Sequence, residues 1–204
     1  MYQFEATSVE GFVQQLAVSY LGHGYWFYVM GKVPEGKDVC RVDEKLIARY
    51  QIDRSKWARA RRKRAGFANL HYLRFDRVFL LLATHGSHPF FLEEASAIRD
   101  ARKTPIRFHG YSISYRGGHP HVRIEQEEYK QLKAYFLDLA LRWSVERLEA
   151  EFSRLPFEPY APVRRQLLAV LRSVNRERKR GGLPLVPNTC FRFIRRIYRP
   201  FEKV

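Results

Sequence analysis

Two histidines, His119 and His121, sit one residue apart directly after the pair Gly117-Gly118. Side chains along a strand repeat every second residue, so both imidazoles would project from one face. Two imidazoles so placed can share a divalent cation, and a nearby tyrosine would supply a nucleophile. Tyr129, Tyr135 and Tyr160 follow in the chain. Tyr129 belongs to the apolar stripe Tyr129, Leu132, Phe136, Leu139 and Trp143, which has the spacing of a helix core face. Tyr135 shares the opposite face with Gln131, Asp138 and Arg142, and Tyr160 precedes a later helix. A plainer reading makes His119, His121 and Arg123 the polar side of an edge strand whose other side is Pro120, Val122 and Ile124. A third uses His85 or His88, at the end of an apolar strand, as a general base near neutral pH. A metal-independent ribonuclease would need such a histidine beside basic residues.

The elements that would position these groups follow from periodicity. "YWFYVMGKV", residues 25–33, is apolar on both parities and reads as a buried strand. Residues 38–64 read as a helix in two pieces, with Val42, Leu46 and Ile47 as an apolar stripe, a break at "YQID" and a stop at Gly66. "FANLHYLR" and "RVFLLLATH" make a hairpin around Phe75-Asp76. "FFLEEASAIRDARK" reads as a helix closed by Pro105, and "IRFHGYSISYR" and "HPHVRIE" as two further strands. Strand, helix, strand, strand, helix, strand, with one strand appended, is the split β-α-β order. An α+β, ferredoxin-like fold is therefore expected, with a four- or five-stranded, mostly antiparallel sheet and helices on one face. The remainder is helical; Pro162 opens a helix whose inner face is Val163, Leu167, Leu168, Leu171 and Val174. The expected division is a ferredoxin-like domain with its packing helix over 1–155 and a basic helical extension over 156–204.

Charge is the outlier of the composition. Lys and Arg number 37 against 21 Asp and Glu, a net +16. A chain this basic attracts polyanions. The excess is concentrated in two places. Arg54, Lys56, Arg59, Arg61, Arg62, Lys63 and Arg64 follow one another with no acid among them. From Ala161 onward twelve basic residues, including Arg164, Arg165, Arg172, Arg176, Arg178, Lys179, Arg180, Arg195 and Arg196, face only Glu177 and Glu202. Solvated helix faces normally mix both signs. Runs of one sign call for a counter-charge, and nucleic-acid phosphates supply it with release of condensed ions. Arginine predominates in both runs, and its planar fork grips phosphate with paired hydrogen bonds. Trp57, Phe191, Phe193 and Tyr198 are interleaved with these residues, which suits unpaired bases. The expected partner is nucleic acid, DNA before RNA.

No stretch approaches the roughly 20 apolar residues of a membrane span, and the first residues lack a basic leader with an apolar core. Cys40 and Cys190 stand far apart without a CxxC partner, as in a reducing compartment. A cytoplasmic protein without a membrane partner is expected, associated with the nucleoid if it binds DNA.

A His-hydrophobic-His pair on a strand of a ferredoxin-like sheet, here with Pro120 in the middle, followed by a helix carrying a tyrosine, resembles the HUH endonucleases: rolling-circle replication initiators, relaxases and single-tyrosine transposases. The resemblance spans residues 25–145 as topology and rests on few residues as motif. It implies a Mg or Mn ion on His119 and His121 that polarises a DNA phosphate, as Lewis-acid metals do. It further implies Tyr135, or Tyr129, as the nucleophile that forms a 5′-phosphotyrosine link while a 3′-hydroxyl leaves. A strand-nicking and joining enzyme of a plasmid or mobile element is the activity implied. A non-catalytic binding protein would use the same basic surfaces.

Overall fold

The computed structural model describes residues 2–191, 193, 194 and 196–202. Among them the chain is α+β, with two antiparallel sheets of four and three strands. The first sheet contains β1 (Phe27–Lys32), β2 (Leu70–Phe75), β3 (Val78–Ala83) and β4 (Arg99–Asp100), in the order β2-β3-β1-β4. That is the split β-α-β order. β3 is continuous apolar sequence because it is central: Leu80, Leu81 and Leu82 point alternately to opposite faces, and all three are buried.

Both faces of this sheet carry helices, against the expectation of one. On one face lies α2 (Val39–Arg49), capped by the Asp38 carboxylate. Tyr72 and Arg74 of β2 reach Asp43 of α2 at 2.6 and 2.9 Å, and Asp43 is buried. On the other face lies α1 (Val9–Gln14), capped by Ser8, whose Phe12 ring meets Phe75 of β2. Residues Gln15–Tyr20 continue α1 in wider turns, with the i→i+5 bonding typical of short insertions in helices.

The fourth strand also differs from expectation. The helix read over "FFLEEASAIRDARK" is only α4 (Phe90–Glu93), and Arg99–Asp100 becomes β4. Tertiary contacts outweigh helix propensity here. Phe91 packs edge-on against Phe27, and Glu94 accepts the hydroxyl of Tyr50 at 2.7 Å. The free edge of β1 at Phe27 and Tyr28 takes Asp100 and Arg99 as its partners. The segment read as the fourth strand divides at His109-Gly110, both with positive φ (43° and 76°), the signature of a tight hairpin turn. Its halves, β5 (Ile106–Phe108) and β6 (Tyr111–Arg116), join β7 (His119–Ile124) in a separate sheet ordered β5-β6-β7.

The chain divides into two compact units, one of Met1–Ile106, Ile113–His121 and Tyr198–Val204, the other of Arg107–Ser112 and Val122–Ile197. In the first, the C-terminal segment lies along α1. The Gln14 side chain donates to Tyr198 O and accepts from Tyr198 N, and Thr7 N donates to Pro200 O at 2.9 Å. A Cβ on Gly11 would stand 3.0 Å from Pro200 Cα, a tight contact that would push the segment back by a few tenths of an ångström, so glycine favours this approach. The second unit holds α5 (Gln126–Leu139), α6 (Val145–Ser153) and α7 (Ala161–Arg180). Its core includes an aromatic column in which Phe136 stacks on Phe152 at 3.9 Å and Phe191 meets Phe152 edge-on. Phe191 is therefore a core residue and not a platform for bases. No helix among the described residues is long and apolar enough to cross a membrane.

Candidate nucleic-acid interface

The first basic run forms α3 (Lys56–Arg64), started by Ser55, whose hydroxyl accepts from Ala58 N. No residue of this helix is buried. Its two sides do different work. On the inner side, Arg62 donates to Ala68 O at 3.2 Å and lies over the Phe67 ring, while Arg59 donates to Arg54 O and accepts Asn69 through its carbonyl. Arg54 also donates to the side chain of Gln51. On the outer side, Trp57, Arg61 and Arg64 stand at i, i+4 and i+7, one above another on a helix face. Trp57 is 77% exposed. Among the described residues, no carboxylate lies within 4 Å of any side-chain nitrogen of Arg54, Lys56, Arg59, Arg61, Arg62, Lys63 or Arg64.

The second run builds the outer face of α7. Val163, Leu167, Val170, Leu171 and Val174 are buried, whereas Arg164, Arg165, Arg172, Arg176, Lys179 and Arg180 are exposed. At 100° per residue the six cations fall within about half of the circumference, along a stripe of roughly 24 Å. Among the described residues only Arg180 of these six is ion-paired, with Glu177 at 2.9 Å. Arg178 departs from expectation. It is 2% exposed, and its guanidinium donates to the carbonyls of Pro184, Ala140 and Trp143 at 2.6, 2.8 and 2.8 Å. Its charge is balanced by the carbonyl end of α5, a favourable place for a cation, so it holds the fold and is not available to phosphate. Arg196 is exposed; Arg195 lies outside the described residues.

His119 and His121 fall on β7, at the edge of the three-stranded sheet. His119 is exposed with Nδ1 2.9 Å from Gly117 O, which leaves Nε2 as its outward nitrogen. His121 is half-buried. Among the described residues no three His, Cys, Asp or Glu side chains converge as a metal site. Tyr135 is exposed, as read from its helix face, and donates its hydroxyl to Glu151 at 2.9 Å. That carboxylate raises the Tyr135 pKa, which disfavours the phenolate a nucleophile needs. Tyr129 is half-buried in the core stripe. The two histidines belong to the first compact unit and both tyrosines to the second. His85 is exposed, and Nδ1 of His88 accepts Phe90 N, a local turn role.

A further group of residues escaped the sequence reading. Tyr2, Gln15, Ser19, Tyr20, His71 and the start of α3 line an open cleft of about 560 Å³. His71 of β2 is half-buried beneath Tyr20 at 4.6 Å and Tyr25 at 4.8 Å between ring centroids. Burial, reinforced by the nearby Arg59 charge, pushes the His71 pKa down to about 3, so its imidazole is neutral. Burial likewise pushes the Tyr20 hydroxyl up to about 12. Arg54, Lys56 and Arg59 stand on the rim, together with Asp53. These positions are scattered from 2 to 71 and share no spacing; the only hint in the sequence is the abundance of tyrosine near the start. The chain matches no protein-family model and no curated protein sequence.

Proposed function

We propose that this protein binds nucleic acid through α3, with the outer stripe of α7 as a second phosphate-contacting surface. The observation that carries the reading is the outward side of α3: a tryptophan 77% exposed beside arginines that have no carboxylate partner among the described residues. A single exposed apolar side chain is ordinary on a protein surface, so it is the place of this indole among guanidinium groups that supports the reading. Beside guanidinium groups it supplies a stacking platform for a base while the cations hold the adjoining phosphates. DNA is the favoured polymer.

Fluorescence anisotropy with labelled 20-nucleotide single strands and duplexes tests this. Arg61→Ala/Arg64→Ala should weaken binding to every sequence alike and flatten the salt dependence by about two phosphate contacts. Equal affinity for the variant and the wild type would overturn it.

Strand nicking is the lesser reading and rests on the shared parity of His119 and His121 on β7. A denaturing gel of labelled single-stranded DNA with Mn²⁺ decides it: an adduct lost in both His119→Ala and Tyr135→Phe supports nicking, and no adduct removes it.

A further inference from the structure

Three polar atoms meet at the Tyr2 hydroxyl. It lies 3.0 Å from Tyr72 O, 2.9 Å from Tyr72 N and 3.1 Å from His71 Nδ1. β2 is the edge of its sheet, and Tyr72 N and O turn outward to this hydroxyl. The phenol has one proton to give. An outward strand carbonyl needs a donor, so the proton goes to Tyr72 O, and the oxygen accepts from Tyr72 N. His71 must then donate through Nδ1–H, which leaves the lone pair on Nε2. Among the described residues no hydrogen-bond partner falls to His71 beyond Tyr2. Nε2 is not among the buried side-chain atoms left without a partner, so it keeps some exposure on a residue that lines the cleft.

The cleft thus joins three features. Tyr2, Tyr20 and His71 make an aromatic wall. A single hydrogen-bond acceptor is set into that wall. Arg54, Lys56 and Arg59 bring three cations to the rim against the single carboxylate of Asp53, and among the described residues none of the three is ion-paired. A planar ring with an N–H edge and an attached phosphate matches all three, and about 560 Å³ is ample for one such unit. We propose that the cleft seats one unpaired nucleotide of a bound strand, with a base N–H donating to His71 Nε2 and the phosphate held by Arg54, Lys56 and Arg59. This inference rests on the nucleic-acid reading above and adds to it a preference for unpaired over paired strands. A buried neutral imidazole suits that role better than general-base catalysis, which wants a pKa near the working pH.

Two measurements on the full chain test it. In the first, a single strand substituted with 5-iodouracil, which photo-cross-links to aromatic side chains it touches, is irradiated with the wild-type protein and the adducts are mapped by mass spectrometry. Adducts on Tyr2, Tyr20 or His71 are expected; adducts on Trp57 alone overturn the cleft and leave the general reading standing. In the second, His71→Phe keeps a ring of similar size and removes the acceptor. It should bind single strands about tenfold more weakly and duplex as the wild type does. Unchanged single-strand affinity in a folded His71→Phe protein overturns the proposal. Competition by nucleoside monophosphates separates a free nucleotide from a strand: displacement of the single strand below millimolar concentration would overturn the strand as the occupant. Failure of the wild type to retain either strand or duplex at low salt overturns the underlying reading itself.

Discussion

Arg178 and Arg176 lie two residues apart in the same basic run, yet the structure gives them opposite work. Replacing Arg178 by Leu removes three hydrogen bonds from a charged donor and strands the carbonyls of Ala140, Trp143 and Pro184. Bonds of this kind contribute about 1.5 kcal/mol each at the low end. The variant is spared the desolvation of a buried guanidinium, which offsets part of the loss. A net destabilisation of about 2–3 kcal/mol follows, or a fall in Tm of roughly 4–12 °C for a chain of this size. Arg176→Ala, at an exposed position, should leave stability within about 0.5 kcal/mol. Its effect should appear in binding, as a salt slope shallower by about one phosphate contact. Circular-dichroism melts and anisotropy titrations of both variants separate the two roles. A melting temperature for Arg178→Leu equal to that of the wild type, with affinity reduced as in Arg176→Ala, would refute the assignment.

Other consequences are equally direct. Trp57→Ala should leave Tm unchanged and weaken single-strand binding by about 1–3 kcal/mol, the range for loss of a stacking platform; anisotropy reads it. Asp43→Ala leaves Arg74 buried with Glu5, at 3.0 Å, as its acidic partner among the described residues, and should cost about 3–5 kcal/mol in chemical denaturation. His71 has a folded pKa near 3 against an ordinary 6.5, so the unfolded chain binds a proton that the folded chain refuses. Stability from this group is complete above pH 6.5 and is lost as pH falls towards 3. Between pH 7 and pH 5 the loss is about 1–2 kcal/mol, and urea titrations should show it diminished in His71→Phe.

Much of the first sheet was legible because its signals are local. The all-apolar β3, the hairpin at Phe75-Asp76 and the two-piece helix over 38–64 each show in a short window, and the split β-α-β order follows from them. The fourth strand was not legible, since Arg99–Asp100 pairs with β1 to satisfy an edge and not through any pattern of its own. The helix α1 on the far sheet face was missed because its wide turns break the 3.6-residue period. Of the site, the basic clusters were visible as charge, but charge does not say which cations are buried: Arg178 and Arg176 are alike in sequence. Phe191 reads as an aromatic among arginines and is in fact a core ring. The cleft around His71 was invisible, because Tyr2, Tyr20 and His71 are brought together only by the pairing of β2 with the first residues and by the packing of α1.

The salt dependence of duplex binding is the most direct test of the claim that polyphosphate completes the exposed cations of α3 and α7. Lys56, Arg61, Lys63 and Arg64 alone offer four phosphate contacts, so a plot of log K against log salt should fall with a slope of about −3.6 or steeper. A slope near zero, or binding undiminished between 50 and 300 mM salt, would contradict it.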